Sequence, residues 1–280
     1  MSVRRPRLHT LLVTAAVTAA ASLSLTPLAS AQTTPAASST AAKPTVVLVH
    51  GAFADSSSWN GVVKRLQHDG YPVIAPANPL RGLAQDSTYI ASVLASVKGP
   101  VVLVGHSYGG AVISQAAAND PQVKALVYIA ALVPDTGENL GALANKFPGT
   151  NALNPSLRPI PFSNADGTGG SDLYVDPTLF RSVFAADLPA SQTVVMAAEQ
   201  RPIAAAAFAA SPTAAAWHTI PSWALVAKQD QALGAPVERF EAQRAHSHTI
   251  EISSSHVAMI SHPGTVTHLI EDAATTTATR

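Results

Sequence analysis

The sequence predicts an α/β protein: a mostly parallel β-sheet flanked by helices, with a helical cap inserted between two of its strands. Three observations predict it. Residues 45–49, 101–104 and 124–131 are short runs rich in β-branched and leucine side chains, the pattern of strands buried on both faces of a parallel sheet. Helix-like segments separate these runs, and strand–helix alternation builds βαβ units. About 80 residues, roughly 136–217, then break the alternation before it resumes, which reads as a cap.

Taken in order, strands are expected at 45–49, 71–75, 101–104 and 124–131, with helices at 59–68, 88–97 and from Gly110 onward. The insertion is rich in Pro, Gly, Asn and Ala and offers short helices at 140–146, 177–186, 191–199 and 203–209. Its Leu179, Phe180, Val183 and Phe184 read as buried, which favours an ordered cap over a loose loop. A strand at 222–227, a helix near 236–244 and a strand at 249–252 complete the sheet, and the last helix begins around Ser261-His262-Pro263.

The 280 residues are 47% hydrophobic and 12% charged, a globular composition with a large core. Basic and acidic residues balance at 17 each, and no basic run outside the N-terminus marks a nucleic-acid partner. Cysteine is absent, which excludes disulfides, thiolate metal sites and a cysteine nucleophile. Arg4, Arg5 and Arg7, the apolar stretch 11–25 and Ala29-Ser30-Ala31 form a secretory signal peptide over 1–31. Its apolar run is too short for a stable membrane anchor, so cleavage near Ala31 is expected to release the chain to the periplasm or the medium. The export route is left open. Removing three arginines and no acids leaves 14 basic against 17 acidic residues. Residues 32–43, QTTPAASSTAAK, read as a flexible linker, with the folded domain spanning 44–280.

The chemistry concentrates where strands end. Gly105-His106-Ser107-Tyr108-Gly109 stands between a strand and a helix, and this G-x-S-x-G turn presents a serine hydroxyl at the carboxyl edge of the sheet. A serine needs a base, and the base needs an orienting group. Asp230, just past strand 222–227, is the expected acid, with Asp135 as its rival. His256, in the loop after the last strand, is the expected base; His262 abuts Pro263 at a helix start, and His246, His248 and His268 fall at a strand entrance or in a helix. Two backbone N–H groups should face a developing oxyanion: Tyr108, following the serine, and Ala52 in His50-Gly51-Ala52-Phe53. Phe53, Phe180, Phe184, Met196 and Trp217 are candidates to line a substrate pocket.

Val47-Leu48-Val49-His50-Gly51-Ala52-Phe53, Gly105-His106-Ser107-Tyr108-Gly109-Gly110, Asp230 and Ser255-His256-Val257-Ala258-Met259 with Ser261 and Pro263 resemble the α/β-hydrolase superfamily over about residues 44–274. Within it, the chain resembles small bacterial hydrolases related to plant methylesterases and hydroxynitrile lyases. The resemblance implies a Ser107–His256–Asp230 triad and hydrolysis of a small or medium-sized carboxylic ester through an acyl-enzyme, with no cofactor and no metal. A perhydrolase or a lactone or C–C hydrolase is the alternative, and a hydrolase-fold binding protein with little turnover is a third reading. The lyases carry a lysine after the histidine and a threonine at the position of Gly51; Val257 and Gly51 here argue against cyanohydrin cleavage.

Overall fold

A computed structural model describes residues 43–278, all within one compact unit, Ala42–Arg280. The expected signal peptide and all of the linker but Lys43 lie outside the described residues.

The chain runs β1 (Thr45–Val49), α1 (Asn60–His68), β2 (Val73–Ile74), α2 (Leu83–Ser96), β3 (Val101–His106), α3 (Tyr108–Ala116) and β4 (Val123–Ile129). The insertion follows, with α4 (Leu140–Ala144), β5 (Leu157–Ser163), β6 (Gly169–Val175), α5 (Phe180–Phe184), α6 (Ala190–Glu199), β7 (Ile203–Ala204) and α7 (Ala205–Phe208). Then come β8 (Ser222–Ala227), α8 (Ala235–Arg244), β9 (His248–Ile252), α9 (Ala258–Ser261) and α10 (Pro263–Ala278). The main sheet has the order β2-β1-β3-β4-β8-β9, and every pairing in it is parallel.

Every residue of β1, β3 and β8 is buried, because helices cover the sheet and leave neither strand face to water. Chain direction across the sheet reverses at β1: the next strand, β2, lies on one side and β3 on the other. A crevice at the carboxyl ends of β1 and β3 is the natural binding place in such a sheet.

Two elements differ from the sequence expectation for clear reasons. α2 starts at Leu83, five residues earlier than its polar first turn suggests. Leu83, Ser87, Ile90 and Leu94 all lie on its buried stripe, and Asp86 accepts the N–H of Arg81 at 3.0 Å to close the helix entrance. In the insertion, residues 203–209 are not one helix: Ile203 and Ala204 pair with Leu173 and Asp172, and only then does α7 begin. The cap therefore carries, beside its short helices, an antiparallel sheet in the order β5-β6-β7. β5 holds Pro159 and Pro161, which an edge strand tolerates because one side of it has no partner to receive an N–H.

The cap is fastened to the main sheet's loops. Ala204 N–H donates to Leu80 O at 2.9 Å, Phe53 N–H donates to Arg201 O at 3.0 Å, and Arg81 pairs with Asp172 at 2.8 Å.

Candidate active site

Ser107 joins β3 to α3 with φ 54° and ψ −127°, a backbone state that costs a non-glycine residue on the order of 1–3 kcal/mol. Packing imposes it. Ser107 O accepts N–H bonds from Gly110 at 2.9 Å and Leu132 at 3.1 Å, and its own N–H donates to Ile129 O at 3.3 Å. A Cβ on Gly105 would stand 2.6 Å from Gly109 O, and one on Gly109 would stand 2.6 Å from Val49 O. The two glycines let β3, α3 and β1 approach closely enough to make the turn.

His256 and Asp230 come together from different loops. His256 Nδ1–H donates to Asp230 Oδ2 at 2.6 Å, and both side chains are fully buried. Asp230 Oδ1 accepts the N–H groups of Ala232 at 2.6 Å and Leu233 at 3.2 Å. Burial opposes the charge on Asp230, but the His256 imidazole and these donors outweigh it and hold the carboxyl below its ordinary range. The Nδ1 bond leaves the lone pair on Nε2, which is buried and has no hydrogen-bond partner among the described residues.

The loop after β1 is set by His50. Its Nε2 accepts Asn78 N–H at 3.0 Å, so the proton sits on Nδ1, which donates to Gly51 O at 2.9 Å. Burial pulls the His50 pKa down to about 4, which keeps the ring neutral and this bonding fixed. A Cβ on Gly51 would lie 2.6 Å from Ser107 Cβ, so glycine is required where the loop passes the serine. Neither Ala52 N–H nor Tyr108 N–H bonds to a protein acceptor among the described residues. Tyr108 is buried, and its hydroxyl donates to Asp86 at 2.7 Å.

The rival residues go elsewhere. Asp135 takes His218 Nε2 at 2.9 Å near the surface. His262 Nδ1 bonds Ser261 Oγ at 2.9 Å, and His248 stacks on Trp223.

Three neighbours of the His256–Asp230 pair and its loops escaped the sequence reading. His106, the residue before the serine, donates from Nε2 to His256 O at 3.0 Å, and its ring lies 4.7 Å from the His256 ring. Asp187, between α5 and α6, accepts Ser255 N–H at 3.0 Å, Ser254 Oγ–H at 3.3 Å and the Ser255 hydroxyl. Glu238, on α8, is buried beside Asp230. Only His106 carried a local signal, its place inside the G-x-S-x-G turn.

The pocket candidates divide. Phe184 covers the imidazole, with ring centroids 5.1 Å apart, and packs on Phe180 and edge-on against Phe53. Phe53 and half-buried Met196 line a cleft of about 520 Å³, together with Val195, Ile260, Gln192 and Glu199. Phe180 and Phe184 are core residues with no exposed surface. Trp217 is not brought to the site: its Nε1–H donates to Pro134 O at 3.0 Å and its ring stacks on His218.

A serine in a strained turn after β3 and a buried imidazole–carboxylate pair in the loops after β8 and β9 are the side chains that define the serine hydrolase class of site. The chain belongs to the alpha/beta hydrolase family, whose profile matches residues 46–268. It is 35% identical over 115 residues to a "Carbendazim hydrolyzing esterase" of Nocardioides sp.; that match spans 36% of this chain and 47% of the relative, about half its length. Among solved structures, polyneuridine aldehyde esterase superposes with a TM-score of 0.70 at 19% identity, covering 82% of this chain and 98% of that one. A pyrethroid hydrolase from Sphingobium faniae superposes with a TM-score of 0.69 at 23% identity, covering 85% and 99%.

Proposed function

We propose that this protein hydrolyses small or medium-sized carboxylic esters, with Ser107 as nucleophile, His256 as general base and Asp230 as the orienting acid. The observation that carries the reading is the 2.6 Å contact between His256 Nδ1 and a buried, ionised Asp230. It turns the free Nε2 lone pair of the imidazole into the proton acceptor for the serine. Ser107 Oγ attacks the ester carbonyl while His256 Nε2 takes its proton. The N–H groups of Ala52 and Tyr108 receive the oxyanion, and a donor in that position is worth about 2.7–4 kcal/mol. His256 then hands its proton to the departing alkoxide, leaving an acyl-enzyme. Water, deprotonated by the same imidazole, cleaves that ester and frees Ser107.

The cleft beside Phe53 and Met196 has the size of a small-molecule site, and Phe53, Val195, Met196 and Ile260 give its otherwise polar lining an apolar side that suits the remote part of the ester. The relatives named as esterases and hydrolases support the same bond class. The pattern of residues 1–31 supports export of the mature enzyme.

The test is turnover of p-nitrophenyl esters of rising acyl length by purified mature protein. Wild type is expected to turn over the short esters, and Ser107→Ala to lose both turnover and fluorophosphonate labelling. A Ser107→Ala protein that still hydrolyses them would sink the assignment.

A further inference from the structure

α8 follows the Asp230 loop and turns one acid back beneath it. Glu238 is 4% exposed, and its Oε2 accepts the N–H of Ala227, the last residue of β8, at 2.8 Å. Ala227 joins it to the Asp230 loop, since Ala227 O accepts Asp230 N–H at 3.0 Å, and each of the two buried carboxyl groups biases the other's ionisation. Oε1 is buried with no cation, hydroxyl or amide to engage it among the described residues.

The surrounding charges decide how this pair is ionised. His256 meets Asp230 from the loop after β9, and buried His106 stands behind His256. On α8 itself, Arg239 is committed to Glu251 through two bonds at 2.8 and 2.7 Å, and Glu241 is another buried acid. Arg244, also on α8, pairs with Glu138, so among the described residues no cation pairs with Glu238. Two carboxyl groups packed together away from water do not both ionise. Asp230 holds the charge, because two amide N–H groups and the imidazole already point at it. Glu238 therefore holds a proton, and both burial and the Asp230 charge push it that way.

We propose that Glu238 is a positioning residue of the active site: as a neutral acid it donates a hydrogen bond to the Asp230 carboxylate, fixing the group that orients His256. The proposal rests on the reading of Ser107, His256 and Asp230 as the catalytic set. Its physical role is twofold. A fourth donor, beside the two amide N–H groups and the imidazole, locks the rotation of the carboxylate about its own side chain. It also makes Asp230 a poorer proton acceptor, so that Asp230 stays anionic when His256 becomes an imidazolium.

The experiment compares Glu238→Leu with Glu238→Gln in steady-state ester hydrolysis across pH, beside Ser107→Ala. Leucine removes the donor, and kcat should fall about tenfold or more with KM little changed. Glutamine can donate to Asp230 through its amide N–H and accept Ala227 N–H through its oxygen. It should restore kcat to within about threefold of wild type and leave the acid limb of kcat/KM in place. Folded Glu238→Leu at full kcat overturns the proposal, and so does an acid limb moved to lower pH in Glu238→Gln, the mark of a lost negative charge. Infrared difference spectra of wild type minus Glu238→Gln at neutral pH keep the question open to refutation even if the leucine variant does not fold. The carbonyl stretch of a neutral carboxylic acid should appear, and its absence overturns the proposal. Turnover surviving in Ser107→Ala overturns the underlying catalytic set instead, a result separate from any behaviour of Glu238.

Discussion

Replacing Asp230 with asparagine tests the site at its most buried point. The carboxylate and the imidazolium formed during reaction are held by a 2.6 Å bond with no solvent around them. Unit charges about 4 Å apart at an effective dielectric near 20 attract by about 4 kcal/mol, so losing the charge alone should slow acylation about 10³-fold. The neighbours of Asp230 add to this. Its Oδ1 already receives the N–H groups of Ala232 and Leu233, so the single oxygen of asparagine is drawn to that side and its NH₂ turns toward His256. The imidazole must then accept at Nδ1 and carry its proton on Nε2, the tautomer unable to take a proton from Ser107. We expect kcat for p-nitrophenyl acetate to fall by about 10³-fold or more with KM within about threefold, since the substrate's contacts are untouched. Stopped-flow acylation with circular dichroism as a fold control makes the measurement. A folded Asp230→Asn enzyme within about tenfold of wild type refutes the reasoning, as would a larger loss in Asp135→Asn.

Three further outcomes are expected. Glu241, wholly buried on α8, accepts Val133 N–H, and burial raises its pKa to about 8. A raised acid takes up a proton on folding, so its stabilising share is complete below the ordinary glutamate value of 4.5 and drains away as pH climbs through about 8. Glu241→Gln keeps the acceptor and should remove up to about 1.4 kcal/mol per pH unit from the slope of stability in that window, read from urea unfolding at pH 5 to 8.5; identical slopes would contradict the burial argument. Met196→Ala, at the cleft wall, should change the acyl-length profile by about tenfold between long and short esters with little loss of stability. Trp217→Ala should lower the unfolding midpoint and leave the profile alone, and the reverse pattern would show that the cleft is not where substrate lies. Exported protein should begin at or near Gln32 by N-terminal sequencing, and retention of residues 1–31 in a membrane fraction would end the signal-peptide reading.

The sequence by itself determined what depends on neighbours in the chain. The fully buried strands β1, β3 and β8 are legible because a strand without solvent contact needs an unbroken apolar run. The serine turn is legible because close approach of three backbones demands glycines at fixed offsets from Ser107. The order of Ser107, Asp230 and His256 follows, since each comes after a strand and parallel strands deliver their ends to one edge.

Tertiary structure decided whatever depends on partners distant in the chain. The β5-β6-β7 sheet is hidden by prolines that only an edge position makes tolerable, and by a two-residue strand whose partners lie some thirty residues away. Asp187 looks like any acid in a turn until the cap sets it against Ser255, and Glu238 looks like a solvent-facing helix residue until α8 packs under β8. Phe184 and Trp217 are both large apolar cap residues. Only the packed chain sends one onto His256 and the other to Pro134, because an aromatic ring carries no mark in sequence of the surface it will cover.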